Sequence, residues 1–158
     1  MAAANAKSKL KTGRKPKAGK AKAEPTALDI VHRAAGILFS RKAEDMLLLD
    51  LRGLSSLTDY YLICTCQNEA QMRAALGAAQ RALSREGVKA LRSEYMPGVR
   101  WAVLDYGEFI IHIFEKQTRN YYSLERLWGD AKSMYLKAED YALPDSGAAA
   151  DGSADDDL

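Results

Sequence analysis

The stretch WAVLDYGEFIIHIF, residues 101–114, decides the fold. Two apolar runs, Trp101 to Asp105 and Phe109 to Phe114, are parted only by Tyr106-Gly107-Glu108. A connection this short predicts an antiparallel hairpin turning at the glycine. Toward the N-terminus, Met46 to Leu49 and Tyr60 to Cys64 are two more short, continuous apolar runs. Both read as strands buried on two faces, because a strand with one face in water would alternate. The linker Gly53 to Asp59 is turn-rich, and its Leu54 and Leu57 are expected to tuck under the loop.

Helical signals flank these runs. Thr26 with Asp29 three residues on is a capping pair, and Leu28, Val31, Ala35, Leu38 and Phe39 follow at helical spacing, predicting a helix from Ala27 to Arg41. Asn68 with Gln71 opens a second, whose face is Met72, Leu76, Ala79 and Leu83 and whose stop is Gly87. Gly77 within it either weakens the helix by roughly 1 kcal/mol or permits a close approach. Val88 to Ser93 reads as a strand before a Pro97-Gly98 turn, and Ser123, Arg126 and Leu127 suggest a short helix stopped at Gly129. Two long helices against five strands predict an α/β fold of the α+β kind. Its single mixed five-stranded sheet carries both main helices mostly on one face.

Charge divides the chain of 158 residues into three. Residues 1–24 hold eight bases and one acid, residues 138–158 seven acids and no base, and residues 25–137 fifteen bases and thirteen acids. The ends lack the apolar side chains needed to offset the entropy of ordering, so they read as a disordered basic arm and a disordered acidic tail around one domain at 25–137. Such an arm reaches ~27 Å and serves either solubility or attraction to phosphate. Organelle transit sequences favour Arg and Ser over the Lys found here, which leaves a cytoplasmic protein as the expectation. No apolar run approaches the ~18 residues of a bilayer span. With only Cys64 and Cys66, a disulfide-built secreted domain is excluded as well.

Catalytic equipment is sparse. Asp50, Asp59, Asp105 and Glu108 lie near strand ends, where such side chains usually bond turn amides. Gly53-Leu54-Ser55 followed by Asp59-Tyr60-Tyr61 is similar to a nucleotidyltransferase pattern that needs two carboxylates one residue apart to hold divalent metal. Tyr61 occupies the second position, so the metal platform is incomplete. His112, between Ile111 and Ile113, reads as a hydrogen-bonded structural histidine, and His32, beside Arg33, as exposed. Cys64-Thr65-Cys66 lacks the further ligands of a zinc site, and no nucleophile elbow or phosphate loop occurs. No cofactor is expected.

Aromatic and arginine side chains instead concentrate late in the domain: Tyr95, Trp101, Tyr106, Arg119, Tyr121, Tyr122, Arg126 and Trp128. These residue types dominate protein interfaces, and they exceed what one small core requires. A protein-binding face is therefore the reading from the residues alone.

Three segments carry a family resemblance. They are Leu49 to Tyr61 (LDLRGLSSLTDYY), Trp101 to Glu108 (WAVLDYGE) and Tyr121 to Asp130 (YYSLERLWGD). In this order the chain, from about Ala27 to Ala131, resembles the ribosomal silencing factor family, RsfS or Iojap. The resemblance implies a non-enzymatic factor that docks on ribosomal protein uL14 of the large subunit and sterically blocks joining of the small subunit. Translation then falls in starvation or stationary phase, and organelle relatives act in ribosome assembly. It also implies a nucleotidyltransferase-like core lacking its catalytic carboxylate pair, and dimers off the ribosome. The matching motif positions imply a contact face of Trp101, Asp105, Tyr106, Gly107, Tyr122, Leu124, Leu127 and Trp128. Ser123 stands where the family more often has Asp, and the Lys-rich arm is placed to meet ribosomal RNA.

Overall fold

The computed structural model describes residues 24–141. The arm and most of the acidic tail lie outside the described residues. Thr26 caps helix α1 (Ala27–Ser40) in a full capping box, its side chain accepting from the Asp29 amide while Asp29 accepts from the Thr26 amide. Strand β1 (Glu44–Asp50) and strand β2 (Tyr60–Cys66) follow, then helix α2 (Glu69–Arg85). Asn68 accepts from the Gln71 amide at 2.8 Å. Gln71 does not complete a capping box; its amide donates to the Arg41 and Lys42 carbonyls at the end of α1. Strands β3 (Arg92–Met96), β4 (Trp101–Asp105) and β5 (Phe109–Glu115) come next, then helices α3 (Lys116–Tyr122) and α4 (Leu124–Leu127) and strand β6 (Lys132–Tyr135).

The sheet order is β3-β4-β5-β2-β1-β6. Only β2 and β5 run parallel, and the β4-β5 hairpin is antiparallel as its short turn requires. Gly107 holds φ +87, and Asp105 Oδ1 accepts its amide at 2.9 Å, which closes the turn.

Both main helices cover one face of the sheet. Val31, Ala34, Ala35 and Leu38 of α1 and Met72, Ala75, Ala79 and Leu83 of α2 pack on Leu48, Leu62, Cys64, Leu104, Ile111 and Ile113. Beneath the sheet a second cluster joins Leu47, Leu49, Leu51, Ile63, Phe114 and Leu124. Burial on both sides is why β1 and β2 read as unbroken apolar runs. Each fully buried side chain of this kind contributes about 2 kcal/mol.

Several expectations are corrected. The sheet has six strands rather than five, because β6 pairs antiparallel with β1 although all four of its residues are exposed. Backbone bonding to a buried neighbour forms this strand, and its side chains carry no apolar signature. The third strand begins at Arg92, since Val88 still bonds back to the Leu83 carbonyl and closes the end of α2. The late helix is two helices, broken where Ser123 adopts φ 44. Leu54 and Leu57 are not tucked away but 45% and 85% exposed, because Leu51 fills the core position beneath the loop. His32 is half-buried and meets the Tyr141 hydroxyl at 2.7 Å. Tyr141 also packs on Phe39, so the packed unit continues past residue 137.

Candidate partner-binding face

The face of the sheet opposite α1 and α2 is only partly covered. Register places Trp101, Val103 and Asp105 of β4 beside Phe114, His112 and Ile110 of β5, and these beside Thr65, Ile63 and Tyr61 of β2. The α3-α4 segment folds over part of it. Trp101 and Tyr122 meet with ring centroids 4.7 Å apart, and Trp101 lies 4.8 Å from Phe114. Trp128 approaches Tyr61 edge-on at 6.2 Å, and Tyr61 packs on His112 at 4.4 Å. The hairpin and the late motif, separate in sequence, thus build one aromatic surface. Tyr121 and Leu127 are exposed beside it, Leu127 at 71%.

A buried arginine sets the shape of the cover. Arg119 of α3 donates to the Asp45 carbonyl at 2.6 Å and to Thr65 Oγ1 at 2.8 Å, and pairs with Glu125 of α4 at 3.2 Å. It ties both short helices to the adjacent strands β1 and β2. Ser123, left-handed between those helices, turns the chain so that Leu124 enters the core while Leu127 faces solvent.

His112 is the polar element of the surface. It is 6% exposed, and its Nδ1 accepts from the Trp101 indole at 3.1 Å. Burial pushes its pKa down to about 3, so it is neutral at physiological pH. Desolvation raises the Tyr61 hydroxyl as well.

The eight motif positions divide into two groups. Trp101, Tyr122, Leu127 and Trp128 come together on or beside the face. Asp105 shares that side, but its carboxylate is engaged by the Gly107 amide and lies 4.0 Å from Arg92. Leu124 is buried beneath the face. Tyr106 points the other way, stacking on Phe109 at 4.8 Å and packing with the helix-side core. Burial drives its hydroxyl pKa up to about 12. Gly107 serves the turn. Sequence reasoning missed Tyr61, His112 and Phe114 as parts of this surface, although two-residue alternation along β5 sets His112 and Phe114 beside Trp101.

Other chemistry is thin. Among the described residues no group of three or more His, Cys, Asp or Glu is placed to hold a metal ion. Tyr61, at the position where a second carboxylate is needed, is a packed ring. Cys64 and Cys66 are buried free thiols. The hydrogen bond with Cys66, and then burial, drive the Cys64 thiol pKa upward, which makes it a poor nucleophile. No helix among the described residues is long and apolar enough to cross a membrane.

Fold and face together define the class, a mixed-sheet α+β domain with an aromatic surface on the side of the sheet opposite its two main helices. Residues 24–157 match the family model described as ribosomal silencing factor during starvation, and the chain belongs to that family. It is similar to the ribosomal silencing factor RsfS of Bacillus subtilis, 36% identical over 102 residues, covering 65% of this chain and 86% of the relative. It is similar also to RsfS of Halalkalibacterium halodurans, 32% identical over 109 residues, covering 69% of this chain and 93% of that one. Among solved structures, protein CV0518 of Chromobacterium violaceum superposes with a TM-score of 0.63 at 28% identity, covering 72% of this chain and 95% of its own.

Proposed function

We propose that this protein docks on the large ribosomal subunit through ribosomal protein uL14, using the face built by Trp101, Tyr122, Leu127 and Trp128, and blocks the small subunit from joining. Translation in the cytoplasm is repressed in starvation or stationary phase as a result. The observation that carries this reading is the contact between Trp101 and Tyr122, which fuses two family motifs into one surface with Leu127 exposed at its margin. Large rings and Arg in such a setting supply most of the free energy of protein contacts. Asp105, Gly107 and Leu124 hold this face in shape, and Tyr106 anchors the hairpin from the opposite side.

Steric inhibition requires no turnover, so the occupied fraction of subunits sets the inhibited fraction. A micromolar complex corresponds to about −8 kcal/mol. Tyr61 supports a non-enzymatic role, because its ring contributes to the aromatic surface at the position where metal-dependent transfer would need a carboxylate. Sedimentation of purified large subunits with the protein tests the reading. Tyr122→Glu and Leu127→Glu, both at exposed positions, are expected to abolish cosedimentation and to restore subunit joining. Unchanged binding by both folded variants overturns the face, and bound protein that leaves joining intact overturns the block.

A further inference from the structure

We propose that the solvent face of α2 is a second ribosomal contact, one that takes the sugar-phosphate backbone of RNA. Arg73, Gly77, Arg81 and Arg85 follow one another at four-residue spacing and form a single ridge along the helix, ~18 Å from end to end. Between Glu69 and Glu86 the helix has three arginines and no acid. Arg73 pairs with Glu69 at 3.5 Å, whereas among the described residues neither Arg81 nor Arg85 makes an ion pair. Gly77 lets the guanidinium of Arg81 lie down on the helix, since a Cβ there would sit 3.0 Å from its Nη1. The result is an open depression lined by Gly77, Gln80, Arg81, Ser84 and Arg85, which offers guanidinium, amide and hydroxyl donors.

The chemistry selects phosphate. Ala70, Ala74 and Ser84 are the other exposed side chains of α2, so this face has no aromatic or large aliphatic anchor for a protein partner to bury. Phosphate oxygens need only donors and positive charge. Position adds to this. The Gln71 bonds to the Arg41 and Lys42 carbonyls and the Arg33-Glu86 ion pair set α1 and α2 antiparallel. The start of α1, to which the Lys-rich segment 1–24 is attached in sequence, therefore lies at the end of α2 that carries Arg85. The inference rests on the family's ribosomal role and is independent of which ribosomal protein the aromatic face meets.

The test is fluorescence anisotropy of the full chain with a labelled RNA duplex of arbitrary sequence over a salt series. Arg81→Glu with Arg85→Glu is expected to weaken binding at least ~10-fold at low salt, and Arg81→Ala with Arg85→Ala to flatten the slope of log affinity against log salt by about two. The double Lys variant is expected to retain most of the affinity. Unchanged affinity and slope in the folded double variants would show that the Lys-rich segment alone holds RNA, and would overturn the proposal. So would absence of duplex binding by the unaltered chain. The same variants are expected to bind purified uL14 normally. Loss of uL14 binding with duplex binding intact would make α2 a protein contact instead, whereas an unaltered chain that binds duplex but not uL14 would remove only the uL14 reading.

Discussion

The indole nitrogen of Trp101 donates a 3.1 Å hydrogen bond to Nδ1 of His112, which sets the imidazole in the tautomer protonated at Nε2. This bond crosses between the two strands of the hairpin and fixes the plane of the ring on which Tyr122 rests. A protonated His112 would lose its acceptor, and burial already disfavours the charge.

Stability is expected to fall as pH falls through the histidine range. The folded-state pKa of His112 is about 3, against an ordinary value of 6.5. Between those values the unfolded chain binds the proton and the folded chain does not, so folding is disfavoured by up to about 1.4 kcal/mol per pH unit. The full contribution is present above pH ~6.5. Urea unfolding at pH 7 and pH 5 measures the slope, and His112→Gln is expected to remove most of it.

Arg119 is expected to hold the aromatic cover together. It is 6% exposed, and its loss strands the Asp45 carbonyl, Thr65 Oγ1 and the Glu125 carboxylate. Arg119→Ala should cost about 3 kcal/mol by denaturant titration, in line with removal of one member of a buried charged network. Lysine at this position lacks the fork that reaches all three acceptors and should recover only part of the loss.

Two glycines should respond to alanine with opposite signs. At Gly107, φ is +87 and a Cβ would stand 3.3 Å from Leu91 Cδ1, so Gly107→Ala should destabilise by about 1–2 kcal/mol. At Gly77 the backbone is helical and the obstacle is the mobile end of Arg81. Gly77→Ala should therefore stabilise by up to about 1 kcal/mol while displacing that guanidinium. Thermal unfolding of the two variants provides the comparison.

Tyr106 and Leu127, both matched to family motifs, should separate on mutation. Tyr106→Ala removes a ring stacked in the helix-side core and is expected to cost about 3 kcal/mol of stability. Leu127→Ala, at an exposed site, should leave the unfolding free energy within about 0.5 kcal/mol of the parent and weaken partner binding. A Leu127 variant that binds subunits normally would move the contact off the α4 margin.

The sequence by itself determined what depends on neighbours along the chain. Thr26 with Asp29, Asn68 before α2, Gly87 after it and Gly107 in the hairpin mark local geometry, and the unbroken apolar runs of β1 and β2 mark strands covered twice. The linked motifs also identified the family. Only the tertiary structure decided which side each motif residue takes. Tyr106 and Trp101, five positions apart, take opposite sides as strand alternation requires, but only the packing of α1 and α2 makes one side the core and leaves the other as the aromatic face. Edge strand β6 shows the same limit, since its partner is the buried backbone of β1 and its own side chains face water. Cross-strand register and the approach of distant segments are set by long-range pairing, which side-chain pattern along one segment does not encode.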